Sequence, residues 1–280
     1  MLLAAMGLRN FTTHNPNSGN DHGPEDPWIE FSNIFRTGDQ PLPPPWDQIF
    51  GPLRCGAIDD LVVVGQIGQS LDGRIATENG HSKYINGPAG LSHLHRLRAL
   101  VDAVVIGAGT AIADDPQLTV RRVRGLQPAR VLIDPNGRIG GEAKVFCNDG
   151  ARRLLVTAEG APVEVSAGIE VLRVSASNGQ LSPVAILKAL AGAGMHRILI
   201  EGGADTVSRF LSARCLDRLH VIVAPIILGS GRPGIALPPV ERADQAMRVP
   251  MRTHAIEDEV LFDCDLSSQR VAIGVAKKSI

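Results

Sequence analysis

The stretch H-R-I-L-I-E-G-G-A-D-T, His196 to Thr206, decides how the rest of this 280-residue chain is read. Ile198, Leu199 and Ile200 form an unbroken apolar run, the mark of a strand covered on both faces. Glu201 puts a charge at the carboxyl end of that strand, and Gly202-Gly203 lets the backbone turn tightly. Beyond the turn, Val207, Phe210 and Leu211 fall at helical spacing, with Asp205 and Thr206 in the first turn. A buried strand, a glycine turn and a helix start together form an anion site, because unpaired N–H groups and the positive end of the helix dipole face one point. The phosphate of a nucleotide cofactor is the natural guest. The same unit also serves as an ordinary α/β connection, so the stretch alone leaves both readings open.

Similar strands flank it on either side. Leu61–Val64 runs into G-Q-I-G-Q-S-L-D-G, Val104–Ile106 ends at Gly107, and Val131–Ile133 ends at Asp134. Leu154–Val156, Val171–Leu172 and Leu219–Val223 read as further strands, and Arg252–Ile256 and Val260–Asp263 as a late pair. Helices are expected from Gly87-Pro88 to about Val101 and over Val184–Leu190 behind the cap Ser182-Pro183. The alternation predicts an α/β fold, a mostly parallel sheet flanked by helices with an antiparallel strand pair at the C-terminal end. Ligands of such sheets sit beyond the carboxyl ends of the strands. Gly68, Gly107, Asp134 and Glu201 are expected there, the glycines for close approach and the carboxylates for hydroxyls.

The chain divides into an N-terminal arm (1–57), a main domain (58–268) and a short tail (269–280). Asn10–Asp26 is polar and reads as linker, so His14, Asp21 and His22 are not taken as a metal site. Asp26-Pro27 starts a helix with Trp28, Phe31, Ile34 and Phe35 on one face, and P-L-P-P-P-W at Pro41–Trp46 should run as polyproline II. Six of the ten aromatic residues (Phe11, Trp28, Phe31, Phe35, Trp46 and Phe50) lie in this arm. That much apolar surface implies docking on the main domain or on a partner subunit. With Lys+Arg 28 against Asp+Glu 29, no broad basic face for nucleic acid or anionic lipid is expected. The start of the chain has no signal-peptide pattern, and no run nears the roughly 18 apolar residues of a membrane span, so a cytoplasmic protein is expected. Cys55, Cys147, Cys215 and Cys264 are scattered and read as free thiols, with no metal implied.

Two details point to a site. On a wheel of about 100° per residue, Arg98 falls between Leu91 and Leu94, inside the apolar stripe that Leu97, Leu100 and Val101 complete, whereas Arg96 points elsewhere as a surface residue. A core arginine needs an anionic partner, either a structural carboxylate or a bound phosphate. A-D-D-P-Q-L-T-V-R, Ala113–Arg121, gathers two acids, a turn proline and an arginine; alone it is an Asp-Pro turn leading into an edge strand.

S-L-D-G-R-I-A at Ser70–Ala76, G-H-S-K-Y-I-N at Gly80–Asn86 and G-x-G-T-x-x-A-D-D-P-x-L-T-V-R at Gly107–Arg121 are followed by three more motifs. These are V-L-I-D at Val131–Asp134, I-L-I-E-G-G at Ile198–Gly203 and A-P-I-I-L-G-S-G at Ala224–Gly231. In this order the series resembles the reductase domain of the bifunctional riboflavin-biosynthesis deaminase–reductases, over about Leu61 to Leu266. The resemblance implies a dihydrofolate-reductase-like fold, a homodimer, NADPH as hydride donor, and a phosphoribosylamino-pyrimidine whose ribosyl group is reduced to ribityl. It places cofactor contacts on Gly68, Tyr84, Gly107, Thr110, Asp114 and the helix start Gly202, Gly203, Ala204, Asp205 and Thr206, extending to Arg209. Substrate contacts fall on Ser82, Arg98, Leu118, Arg121 and Glu201, with Ser82, Arg98 and Arg121 cradling the 5′-phosphate and Glu201 or a bound water as candidate proton donor. Neither H-x-E nor P-C-x-x-C of a zinc deaminase occurs in this sequence, so reduction without deamination is expected. Tyr84 stands where the family often has Trp, and Gln66 where a lysine is common. The Gln66 exchange leaves open a same-fold reductase of another substrate, such as a dihydropterin. A cofactor-binding module without catalysis is the reading from a different class.

Overall fold

The computed structural model describes residues 26–38 and 40–273, so Phe11, His14, Asp21 and His22 lie outside the described residues. In chain order the elements are α1 (Pro27–Thr37), α2 (Asp47–Phe50), β1 (Val62–Ser70), β2 (Arg74–Thr77), α3 (Pro88–Leu100), β3 (Ala103–Gly107), α4 (Ala108–Asp114) and β4 (Ala129–Ile133). They continue with β5 (Arg153–Ala158), β6 (Ile169–Val174), β7 (Ala176–Ser177), β8 (Gln180–Leu181), α5 (Pro183–Gly192), β9 (Arg197–Glu201) and α6 (Ala204–Ser212). The last are β10 (Arg218–Ala224), β11 (Gly231–Pro233), β12 (Met251–Ile256) and β13 (Glu259–Asp265).

Nine strands form one sheet in the order β12-β13-β10-β1-β9-β3-β4-β5-β6. All neighbours from β10 to β6 pair in parallel, and β13 pairs antiparallel with both β10 and β12. The mixed, mostly parallel sheet with an antiparallel C-terminal pair is the architecture read from the sequence. The opening stretch occupies its middle: β9 enters late and slots between β1 and β3, which brings the carboxyl ends of all three together.

Because side chains alternate along a strand, each apolar run supplies two layers. Val63, Val105, Val131, Ile198 and Ile200 face α5 and α6, where Ile186, Leu187, Leu190, Val207 and Phe210 complete one core. Val62, Val64, Val104, Ile106, Leu132 and Leu199 face α3, whose Leu97 and Leu100 join a second core. That second core also holds the arm. Trp28, Phe31, Phe35 and Phe50 are all buried in it, and Trp28 Nε1 donates to the Arg124 carbonyl at 2.8 Å. So the arm covers the outside of α3 within its own chain, and α3 has two buried sides. His93 stacks on Phe50 with ring centroids 5.2 Å apart, and the Arg96 guanidinium lies 5.6 Å and 5.1 Å from the Trp28 and Trp46 rings. Arg96 is therefore not the free surface residue its place on the wheel suggested.

Other local expectations also shift. Asp26 caps α1 through its side chain, accepting from Trp28 N–H at 2.9 Å, whereas Ser182 makes no side-chain cap to α5. The proline run turns at residues 44–46 directly into α2 and does not stay extended. Residues 108–114 form a helix, and no edge strand follows the Asp-Pro turn. At the other end, Arg270 pairs with Asp59 and donates to Asp217 at 2.8 Å, and the buried Ile273 donates its N–H to Asp59 at 2.9 Å. Residues 269–273 thereby share the core of the main domain.

Four free cysteines are present, and among the described residues no helix is long and apolar enough to cross a membrane. If the arm belongs to the core, Phe31→Ala should lower unfolding free energy by about 3–5 kcal/mol in urea, and deleting residues 1–55 should lower the melting temperature.

Candidate active site

Where β1, β9, β3 and β4 end, two cavities open side by side. The larger, about 720 Å³, is lined by Gly107–Thr110 at the β3–α4 turn, Pro135, Asn136 and Arg138 after β4, and Gly203–Thr206 at the start of α6. Gly179–Leu181 and Arg232 of β11 close its sides. The smaller, about 320 Å³, is lined by Gln66, Gly68, Asn86, Gly90, Leu91, Leu94, Glu201 and Gly202. Ile75, Ser82, Asp114 and Gly203 line both, so the two cavities meet there.

The Gly-Gly turn is held by a specific contact. Gly203 N–H donates to Thr110 Oγ1 at 2.8 Å, which satisfies one orphan donor of the helix end; the helix has no side-chain cap of its own. Gly202 has φ +113°, a conformation that favours glycine. A Cβ at Gly107 would lie 2.4 Å from Thr206 Oγ1, and one at Gly68 would lie 1.8 Å from Asn86 Oδ1. Both glycines leave room for a neighbouring side chain, and each also lines a cavity, Gly107 the larger and Gly68 the smaller.

Strand parity decides the rest. Glu201 shares the parity of Leu199 and faces α3, where Arg98 reaches down. The Arg98 guanidinium grips both Glu201 oxygens, Nε to Oε2 at 2.8 Å and Nη2 to Oε1, while Nη1 donates to the Thr119 carbonyl at 2.9 Å. The anionic partner that a core arginine requires is thus a carboxylate of the same chain. Gln66, only 7% exposed, stands beside Glu201 in the β1–β9 register and beside His220 in the β1–β10 register. Asp134 is fully buried and serves its own loop, accepting from Ile139 N–H at 2.8 Å.

The titratable groups divide by surroundings. Desolvation pushes the Asp114 carboxyl above its ordinary range, outweighing the nearby Arg232 and Lys83. Burial, reinforced by Arg98, Arg121 and Arg122, pushes the His95 imidazole down to about 3, and its Nδ1 accepts the Arg121 N–H at 3.0 Å.

Residues 62–255 match the model of the RibD C-terminal domain. The chain belongs to that family. A 2,5-diamino-6-ribosylamino-4(3H)-pyrimidinone 5′-phosphate reductase of Methanothermobacter thermautotrophicus is 32% identical over 72% of this chain and 96% of that protein. A riboflavin biosynthesis protein RibD of Aquifex aeolicus is 36% identical over 58% of this chain, which spans 46% of that longer protein. A solved Thermotoga maritima deaminase/5-amino-6-(5-phosphoribosylamino)uracil reductase superposes with a TM-score of 0.63 at 28% identity, covering 73% of this chain and 56% of that one.

Within this RibD-type domain the residues singled out from sequence fall into three groups. Gly107, Thr110, Ala204, Asp205 and Thr206 line the larger cavity, Gly68, Glu201 and Gly202 the smaller, and Ser82, Asp114 and Gly203 both. Tyr84 is 90% exposed and lines neither. Leu118 is buried in the core below, and the Arg121 guanidinium donates to Thr119 Oγ1 at 3.1 Å. Of the residues expected to cradle the 5′-phosphate, Ser82 lines both cavities, Arg98 is engaged by Glu201, and the Arg121 guanidinium feels the charges of both Arg98 and Glu201. Arg138, Arg232 and Asn86 are not singled out by the sequence, although Asn86 ends a quoted motif and Arg138 and Arg232 lie four residues and one residue beyond others.

Two outcomes follow. Arg98→Met should cost about 3–5 kcal/mol because it leaves Glu201 buried without its partner, and the Arg98→Met/Glu201→Leu double variant should recover much of that in urea unfolding. His95 takes up a proton near pH 6.5 when unfolded but only near 3 when folded, so its stabilisation is present above about 6.5 and is lost as pH falls toward 3. Melting temperatures across that range should decline less steeply in His95→Gln.

Proposed function

We propose that this chain is an NADPH-dependent oxidoreductase that reduces the ribosyl group of a phosphoribosylamino-pyrimidine to ribityl, acting as a homodimer. The observation that carries this reading is the pair of contiguous cavities meeting at Ser82, Asp114 and Gly203. One is large enough for a dinucleotide, the other for a sugar and a heterocycle. Membership in the RibD C-terminal domain family, with one relative named a pyrimidinone 5′-phosphate reductase and another a riboflavin biosynthesis protein, supports the chemistry.

The residues of the larger cavity suit the cofactor. First-turn N–H groups at Ala204–Thr206 offer donors to phosphate oxygens, and Arg138, Arg209 and Arg232 surround them with positive charge. NADPH, when bound, supplies the hydride. Thr110 fixes the Gly203 turn at the junction, so the reacting carbons are held in one place and water is displaced by the protein walls. In the smaller cavity the ring-opened sugar presents C1′ as an imine carbon. Hydride supplied by bound NADPH would be received at C1′, which leaves the chain to furnish one proton to the nitrogen.

Of the two carboxyls near that point, Asp114 is the better proton source. It lines both cavities, and desolvation holds its carboxyl above the usual range. Glu201 was the donor expected from the family pattern, but in this arrangement both its oxygens accept from Arg98. Its role is then to place charge and hold Arg98 beneath the sugar.

Steady-state NADPH oxidation tests the whole reading. The 2,5-diamino-6-ribosylamino-4(3H)-pyrimidinone 5′-phosphate, its deaminated uracil counterpart and a dihydropterin should each be offered. Turnover with a pyrimidine is expected; turnover with the pterin alone would select the same-fold alternative, and NADPH binding with no turnover the non-catalytic one. Asp114→Asn should lower kcat by about 10²-fold or more, whereas Glu201→Gln should lower it less.

A further inference from the structure

The hairpin formed by β12 and β13 runs past the family match, which ends at residue 255, yet it sends a carboxylate back to the substrate side of the sheet. Glu259 is 1% exposed. Its Oε1 accepts from Asn86 Nδ2 at 2.8 Å and from Gly87 N–H at 3.0 Å, and its Oε2 from Gly90 N–H at 2.7 Å. Gly87 is the N-cap residue of α3 and has no capping side chain, so a residue about 170 positions later supplies the cap. A carboxylate here satisfies orphan donors and meets the positive end of the helix dipole.

What Glu259 holds lines the smaller cavity. Asn86 and Gly90 are wall residues, followed on the same helix by Leu91 and Leu94. Asn86 in turn closes against Gly68, where even a Cβ would collide with it. At the far end of the helix, Arg98 grips Glu201. The same hairpin braces α3 a second time: Asp263 Oδ1 lies 3.2 Å from His220 Nε2, and His220 Nδ1 lies 3.0 Å from His93 Nε2. Gly90 shows how tight the first brace is, since a Cβ there would come within 2.6 Å of Glu259 Oε2.

We propose that Glu259 is a positioning residue for the pyrimidine substrate: by capping α3 and holding Asn86, it sets the wall of the smaller cavity without touching the ligand. This rests on the reductase reading above. It predicts a kinetic signature that plain loss of stability does not give. In Glu259→Ala, assayed well below its melting temperature, the KM for the pyrimidine should rise about tenfold, as it would if the wall held its binding-competent position about a tenth of the time. Affinity for NADPH, whose cavity Glu259 does not brace, should stay within about twofold. Glu259→Gln, which keeps an acceptor for Gly87, should fall between wild type and Ala. Gly90→Ala, which displaces the carboxylate while retaining it, should reproduce the rise in KM.

A lower melting temperature with unchanged pyrimidine KM would overturn the proposal, as would equal losses for pyrimidine and NADPH. Amide hydrogen exchange of the ligand-free protein separates this outcome from failure of the reductase reading. Should wild type reduce no pyrimidine, the function falls, and the brace is then judged by exchange alone. Faster exchange in Glu259→Ala at Gly87 and Gly90, with Gly203 unchanged, supports the brace; unaltered exchange there rejects it.

Discussion

The buried ion pair between Arg98 and Glu201 is the constraint around which the site is arranged. It joins α3 to the carboxyl end of the central strand, and each partner lies on the sheet face where only α3 can answer it. Neither charge is tolerable alone at that depth. With both present, the helix has one height and one rotation over the sheet, and its first turns stand as the wall of the smaller cavity. The second guanidinium contact, to the Thr119 carbonyl, extends the same constraint to the loop after α4. Helix, strand end and loop are thereby registered to one another through a single side chain.

The arm buries the opposite side of the same helix. An α/β sheet helix ordinarily shows one face to solvent, but α3 is covered on its outer side by Trp28, Phe31, Trp46 and Phe50. That cover explains why a helix with His93, His95, Arg96 and Arg98 in sequence can be packed so closely. The polar residues are spread around its circumference, and each finds a partner in a different element: His220, the loop at Arg121, the tryptophan rings and Glu201.

Much of the fold could be read from the chain because buried parallel strands are near-continuous apolar runs. Val104–Ile106, Val131–Ile133 and Ile198–Ile200 announce themselves, and the glycines and acids after them mark the strand ends. Strand order could not be read, since nothing local says that β9 belongs between β1 and β3. The same lack of long-range information hid Glu259, whose three hydrogen bonds all reach back to residues 86–90. Arg98 was half legible. Its position within the apolar stripe showed that it needed an anion, but only the parity of β9 shows that the anion is Glu201. For Arg96 the local pattern misled, because the aromatic arm that covers it lies outside any helical wheel.

The late insertion of β9 has a consequence for how the molecule assembles. As the chain emerges, β1 and β3 are made first, and the edge that awaits β9 stays open for about 127 residues on β1 and about ninety on β3. Neither can find its permanent partner locally, so closing the middle of the sheet is a long-range event with a high loop-closure cost. During that interval two apolar strands present unpaired backbone toward each other and toward other nascent chains. The element whose end lines the smaller cavity is therefore also the one whose arrival closes these two open edges.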